Sequence, residues 1–318
     1  MLHEHHFRAM NTGVGVWLWS TARDRAAAVR HALLRAEEFF ACVEDELSRF
    51  HRDSSLSRLN DAAGAGWQAV SPLLWTVLTT AVDAAEDSGG IYDPTLLRAL
   101  EAIGYDRTFE AVDAGGTITT VPAVSSFGSW RRVRFDNATR CVSLPADLAV
   151  DLGGIGKGWT VDRVALSLAS LGPVLVDAGG DLRVIGTVDG ESWPVAVQDP
   201  FEPASDRGVV RLRDGALATS SIGGRRWRRG DRVYHHVLDP RTGMPAESDL
   251  YTVTVRAPSA SMGDVASKVA LVLGSGPGAT YLVNRGLSGL LTTIEGREVA
   301  VGAFRLEDVD CHASPHCA

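Results

Sequence analysis

Asp151-Leu152-Gly153-Gly154-Ile155-Gly156-Lys157-Gly158-Trp159 follows the apolar run Leu148-Ala149-Val150 and leads into a helical pattern. Glycines at 153, 154, 156 and 158 let the backbone approach a ligand closely and take up positive φ where a turn needs it. The helix behind them presents unpaired N–H groups and a partial positive charge, which together favour an anion. Lys157 adds a full charge. Lysine occurs only at 157 and 268 among 31 Lys and Arg residues, so a retained ammonium suggests a site that wants a compact point charge. Codon usage alone would also leave lysine scarce. The order is neither the Gly-x-x-x-x-Gly-Lys-Ser/Thr of a P-loop nor the Gly-x-Gly-x-x-Gly of a dinucleotide turn. Taken alone, the stretch reads as a phosphate loop or as a structural turn.

Upstream, Phe7 to Trp19 alternates as a first strand with Val14, Val16 and Leu18 on one face. A helix capped by Thr21 follows, with apolar residues recurring from Val29 through Leu47 up to Phe50. Ser71-Pro72 starts another helix, which Gly89-Gly90 stops. A third runs from Thr95 to Ile103, and Trp130 to Leu144 forms a hairpin about Asp136-Asn137. After the glycine stretch come a helix over 159–171 and strands at 174–176, 182–187, 193–197, 209–212, 232–238 and 251–256, with a turn at Asp214-Gly215. Helices over 261–273 and 277–285 and a hairpin about Glu295-Gly296 close the chain. Helices among antiparallel hairpins, without regular βαβ alternation, predict an α+β fold. Residues 1–304 read as one unit with a long loop over 105–129, and 305–318 as a tail.

The chain has 318 residues, 45% hydrophobic and 22% charged, enough for one large or two modest cores. A net charge of −8 and a pI near 5.6 argue against nucleic acid or an anionic membrane as the main partner. The run Arg225-Arg226-Trp227-Arg228-Arg229 reads as a solvated hairpin tip, with a nucleotide or acidic partner as the alternative. Met1 to His6 lacks the basic-then-apolar order of a signal peptide, which predicts a cytoplasmic protein. Cys42, Cys141, Cys311 and Cys317 do not form a disulfide framework. Cys311, His312, His316 and Cys317 invite a metal, but adjacent ligands close around one ion with difficulty.

Three more segments have the composition of site pieces: Tyr92-Asp93-Pro94-Thr95, His235-His236-Val237-Leu238-Asp239-Pro240-Arg241-Thr242-Gly243, and Gly263-Asp264-Val265-Ala266-Ser267-Lys268. With Arg8-Ala9-Met10, Leu47-Ser48-Arg49-Phe50, Ser54 to Asn60 and Asp177-Ala178-Gly179-Gly180, their order resembles the ApbE family of FAD:protein FMN transferases over nearly the whole chain. The resemblance implies a T-fold-like α+β enzyme that binds FAD, cleaves its diphosphate and leaves FMN on a Thr or Ser hydroxyl of a partner flavoprotein while AMP departs. It places Met10, Phe50, Tyr92, Asp93, Asp151, Lys157 and Leu238 around the nucleotide. The Gly154 carbonyl and Asp264 match magnesium ligands, and His236 is the candidate proton acceptor. Family targets carry a motif resembling Asp-x-x-Ser/Thr-Gly/Ala-Ala-Thr, the last Thr being modified.

Each residue also has a plainer reading. Asp239 to Gly243 is a sound turn by itself, Tyr92 and Phe50 suit a core, and Asp151 suits a helix N-terminus. His235, next to His236 in a strand, points the other way. The chain departs from the family where a threonine usually follows the aspartate by four: Lys268 stands there. An ammonium cannot ligate a cation, and it pairs with Asp264 across one helical turn. Either this is an exposed helical salt bridge, or Lys268 sits beside the diphosphate and partly replaces Mg²⁺, with Ser267 as a remaining oxygen ligand. The departure keeps open a non-catalytic FAD carrier or sensor, and an FAD pyrophosphatase giving FMN and AMP to water is a further alternative.

Overall fold

The structure, a computed structural model, describes residues 1–20, 26–112 and 126–308. The stretch read as one first strand is two: β1 (Leu2–Ala9) and β2 (Thr12–Trp19) pair antiparallel with Ala9 opposite Thr12. Between them Met10 and Asn11 hold φ of 52° and 59°, the left-handed pair that a type I′ hairpin turn requires. Methionine has no preference for that region. Its placement aims the Met10 side chain into the cavity described below.

Helix α1 (Ala26–Leu47) buries Val29, Leu33, Ala36, Phe40, Val43 and Leu47 along one stripe, as the spacing predicts. The expected Thr21 cap lies outside the described residues. A short helix not anticipated from the sequence, α2 (Ser55–Asp61), is capped by Ser54, whose hydroxyl accepts from Ser57 N–H. Strand β3 (Gln68–Ala69) leads to α3 (Pro72–Asp87), which starts as the Ser71-Pro72 pair predicts, Ser71 Oγ accepting from Leu74 N–H. Helix α4 (Leu97–Ala102) is shorter than the predicted 95–103, because Asp93 Oδ1 takes both the backbone N–H and the hydroxyl of Thr95. Strands β4 (Arg134–Asp136) and β5 (Cys141–Ser143) form the expected hairpin and join β3 in a small sheet. The described part of the 105–129 loop includes a 3-10 turn at Phe109–Ala111.

Helix α5 (Gly156–Leu168) begins at Gly156 rather than Trp159, so the end of the glycine stretch is itself the first turn of the helix. Strands β6 (Val174–Ala178) and β7 (Asp181–Ile185) meet at Gly179-Gly180, both at positive φ. Then come the hairpin β8 (Trp193–Gln198) and β9 (Asp206–Leu212), strand β10 (Asp214–Ser221), and the pairs β11 (Arg226–Arg229) with β12 (Arg232–His235) and β13 (Leu238–Asp239) with β14 (Met244–Pro245). Strand β15 (Leu250–Ala257), helices α6 (Ala260–Leu273) and α7 (Ser275–Asn284), and the hairpin β16 (Ser288–Thr293) and β17 (Glu298–Val301) complete the order.

Eight strands make one sheet in the order β1-β2-β6-β7-β10-β15-β16-β17, each neighbouring pair antiparallel. This is the predicted α+β architecture. Besides the β1–β2 pair, the sheet's misread element is β10, whose first residues were taken for a turn. Ala216, Leu217 and Ala218 lack the bulky β-branched character of a strand, and the reason is α6: a Cβ added to Gly263 of that helix would stand 3.0 Å from the Cβ of Ala218. On this face Val14, Val16, Leu18, Val174 and Val176 pack against α1 and α5. On the other, Leu175, Leu182, Val184 and Leu217 meet the β8–β9 hairpin and Phe304. Tyr92, Trp130, Val150 and Leu152 pack with α3 and with Val265 and Val269 of α6, which brings the second set of helices onto the sheet near its middle.

Candidate active site

Where these parts meet lies a cavity of about 380 Å³. Met10, Phe50, Tyr92, Asp93, Asp151, Gly154, Lys157, His236, Leu238, Asp264 and Lys268 all line it, although they are spread over more than 250 positions. Ser267 is not among the lining residues. It is fully buried, with its hydroxyl shared between Ser220 Oγ at 2.7 Å and the Asp264 carbonyl at 3.0 Å. The expected oxygen ligand is therefore spent on holding α6 to β10.

Both lysines of the chain reach this cavity, and each is fastened to a buried carboxylate: Lys157 to Asp181, and Lys268 to Asp264. The lysines are 20% exposed and the aspartates 1%. The Asp264 and Lys268 pair is thus enclosed, not an exposed helical salt bridge. Burial opposes the charge of Lys157, but Asp181 and Asp264 outweigh it and hold the ammonium above the ordinary lysine range. For Asp181, burial first and the Asp264 carboxylate second push the pKa to about 6, against the pull of Lys157 and Lys268. Asp181 Oδ1 and Asp264 Oδ2 have no protein partner.

The glycine stretch works differently from its sequence reading. None of Gly153, Gly154, Gly156 or Gly158 has positive φ. Gly154 matters for approach: a Cβ there would stand 3.0 Å from the Tyr92 ring and 3.5 Å from Lys268 Cε. Gly158 faces away from the cavity, with a Cβ there 2.7 Å from the Ala260 carbonyl oxygen, so it sets the closeness of α5 and α6. Asp151 accepts from Gly153 N–H at 2.7 Å and pairs with Arg49 Nε at 2.7 Å, so it shapes the loop. Arg49 also donates to the Tyr105 carbonyl at 2.8 Å and lies 4.2 Å from the Phe50 ring centre. The loop is anchored from below by Asn60, which exchanges two hydrogen bonds with the backbone of Val150, at 2.7 and 2.9 Å.

His236 faces the cavity and His235 does not; the strand expected over 232–238 ends at His235, so His236 lies just beyond β12 and not within it. Burial, then Arg225 and Lys268, then His235, hold the His236 imidazole well below the ordinary histidine range. It is neutral near pH 7, and its Nδ1 has no protein partner. Burial is also the main cause, with Asp264, Asp151 and Asp93 adding to it, that keeps the Tyr92 hydroxyl protonated well above the usual tyrosine range. Burial raises Asp93 too, against the two hydrogen bonds from Thr95.

The side chains present do not suit a resident divalent cation. Mg²⁺ is held through one or two carboxylates, with water and phosphate completing its six oxygens; here the carboxylate of Asp264 gives one oxygen to an ammonium, and Ser267 is turned aside. An ion on the remaining oxygen would share its carboxylate with Lys268. Among the described residues no group of three or more His, Cys, Asp or Glu could hold a metal, and the tail from Cys311 to Cys317 lies outside them.

Asp181 and Arg49 are site residues that the sequence reading did not single out, and Arg225 belongs to the run for which a nucleotide was kept as the alternative. Arg49 sat inside a quoted motif, and Asp181 follows one directly. Arg226 to Arg229 of the arginine run are not a hairpin tip but the strand β11, which Arg225 precedes and whose tip with β12 is Gly230-Asp231; Trp227 is buried and donates to the Ile103 carbonyl at 2.9 Å. Arg225 lines the cavity. Cys42 and Cys141 are free thiols, and no helix among the described residues is long and apolar enough to cross a membrane.

Residues 10–291 match the model of the ApbE family. A protein named FAD:protein FMN transferase from Treponema pallidum is 32% identical over 276 residues, which cover 79% of this chain and 74% of that one. A protein of the same name from Vibrio cholerae is 29% identical over 238 residues, 73% and 70% of the two chains. Among solved structures, the ApbE protein of Thermotoga maritima aligns with a TM-score of 0.84 at 27% identity, covering 95% of this chain and 97% of that one. The apo flavinyl transferase ApbE of Pseudomonas stutzeri aligns at 0.78 and 23% identity over 96% of each, a likeness of fold.

Proposed function

This chain belongs to the ApbE family, and on that premise we propose that it transfers FMN from FAD to a Thr or Ser hydroxyl of a partner flavoprotein, releasing AMP. The observation that carries the proposal is the meeting of both lysines, the start of α5 and a neutral histidine in one cavity. A diphosphate under attack gathers charge on its non-bridging and leaving oxygens, which fixed cations and oriented N–H groups stabilise. Lys157 and the N–H groups at the start of α5 hold the phosphates. Met10, Phe50, Tyr92 and Leu238 supply apolar surface for the flavin. Asp93 and Asp151 keep the walls of the site in shape, through Thr95 and Arg49.

In the transfer step the acceptor oxygen bonds to the phosphorus on the FMN side. The bond from that phosphorus to the bridging oxygen breaks, and AMP leaves with that oxygen. The acceptor's proton passes to Nδ1 of His236, a contribution of about 10²–10⁴ in rate for a well-placed base. No step runs through a metal ion. The acceptor hydroxyl is proposed to lie in a segment resembling Asp-x-x-Ser/Thr-Gly/Ala-Ala-Thr.

The test is covalent transfer: FAD and a domain bearing that segment are incubated with the protein, and the domain is weighed by mass spectrometry while AMP is assayed. A mass gain equal to FMN less water, with one AMP per acceptor, supports the transferase. FMN and AMP without labelling would replace it with a pyrophosphatase. Bound but uncleaved FAD across several acceptors would leave a carrier.

A further inference from the structure

We infer that the ammonium of Lys268 is the second cation of the nucleotide site, standing where a divalent metal ion would otherwise be held by Asp264. The inference takes from the proposed function only that a diphosphate is bound in this cavity.

Its basis is the placement of the chain's two lysines. Among 31 basic side chains, both ammonium groups are enclosed at one cavity, each on a carboxylate almost without exposure. An isolated buried ammonium or carboxylate is costly, so such groups persist in pairs. Asp264 and Lys268 are four apart on α6 and share one face, so the helix itself keeps them in reach of each other, with or without ligand. The Lys268 stem passes beside Gly154, where an added Cβ would meet its Cε at 3.5 Å and its Cδ at 3.6 Å. The ammonium is thereby delivered next to the glycine stretch, on the side of the Tyr92 ring.

A divalent ion placed on Asp264 would meet this fixed positive charge across a single carboxylate. Of the two carboxylate oxygens of Asp264 only Oδ2 is without a partner, and Ser267 is committed to Ser220. The ammonium can donate up to three hydrogen bonds. It can therefore keep Asp264 and still reach a phosphate oxygen, which gives the site a charge that needs no loading from solution.

The decisive measurement is direct titration of Mg²⁺ alone into the protein by calorimetry, for the parent, Lys268→Thr and Asp264→Asn, with circular dichroism to confirm folding. The parent is expected to show no binding at millimolar Mg²⁺, and Lys268→Thr to gain a site that the added Asp264→Asn change removes. Beside it, FAD affinity is followed by flavin fluorescence with chelator or with Mg²⁺. The parent's affinity should agree within about twofold in the two conditions, by the linkage of a ligand that binds neither state. Lys268→Met should bind at least about tenfold more weakly in chelator, the loss of one charge contact. Submillimolar Mg²⁺ binding to the parent that Asp264→Asn abolishes, or a parent FAD affinity that collapses in chelator, would overturn the inference. If FAD does not bind at all, the proposed function fails instead, and the Mg²⁺ titration still decides the role of Lys268.

Discussion

Replacing Lys157 by methionine should carry to higher pH a loss of folding stability that the parent shows only up to about pH 6, and the cause lies in Asp181. The aspartate is 1% exposed and its Oδ1 has no partner. With its ammonium neighbour gone, its carboxyl, already at about 6 in the parent, moves further up and stays protonated in the folded protein near neutral pH. In the unfolded chain the same group ionises near 3.8. The folded state then holds a proton that the unfolded state has released, so stability falls as pH rises, by about 1.4 kcal/mol for each unit above the unfolded value. Between about pH 5 and about pH 7.5 the variant should lose up to about 3.4 kcal/mol relative to Lys157→Met/Asp181→Asn, which carries no such proton. Urea unfolding of the two variants at both pH values isolates this difference, because titrating groups away from Asp181 cancel between them. A gap between the variants that does not change with pH would refute the buried pair. FAD binding should be weakened in both, since neither restores the ammonium.

Asn60→Ala leaves the N–H and carbonyl of Val150 without their partner and should cost about 3 kcal/mol in chemical unfolding, two buried hydrogen bonds with their unsatisfied groups. Gly158→Ala forces a Cβ against the Ala260 carbonyl and should lower stability by about 1–3 kcal/mol. Gly154→Ala meets the Tyr92 ring and the Lys268 stem instead, and should show its larger effect on FAD affinity. His236→Gln should reduce transfer by about 10²–10⁴. In the parent the rate should hold through the ordinary histidine range and fall only at lower pH, because the depressed pKa of His236 leaves it neutral there, and the variant should lose that acid limb.

Helices with an apolar stripe and a chemical start signal were legible: α1 through its buried stripe and α3 through Ser71-Pro72. The elements that were misread are those whose residues answer to a neighbour rather than to their own propensity. Strand β10 is built from small residues because α6 lies on it. The β1–β2 turn holds Met10 where asparagine or glycine would be at ease, because its side chain is wanted in the cavity. Gly158 carries the same lesson in a helix: it looked like one more ligand-facing glycine, and its constraint comes from α6.

The two lysine pairs separate what spacing can give from what only topology gives. Asp264 and Lys268 are four apart, and any helix over that stretch brings them together. Lys157 and Asp181 are 24 positions apart, and their meeting depends on the register of β7. Asp181 opens that strand, paired with Ala178 of β6 and Ala218 of β10, and its side chain joins Lys157 of α5, whereas Leu182 packs on the opposite face with the β8–β9 hairpin. Because side chains alternate with a period of two, a slip of one residue would carry the carboxylate to that apolar face and leave Lys157 unpaired. The Gly179-Gly180 turn, both residues at positive φ, sets this register. Its glycines therefore bear on the charge of the site through Asp181, although what they visibly do is reverse the chain.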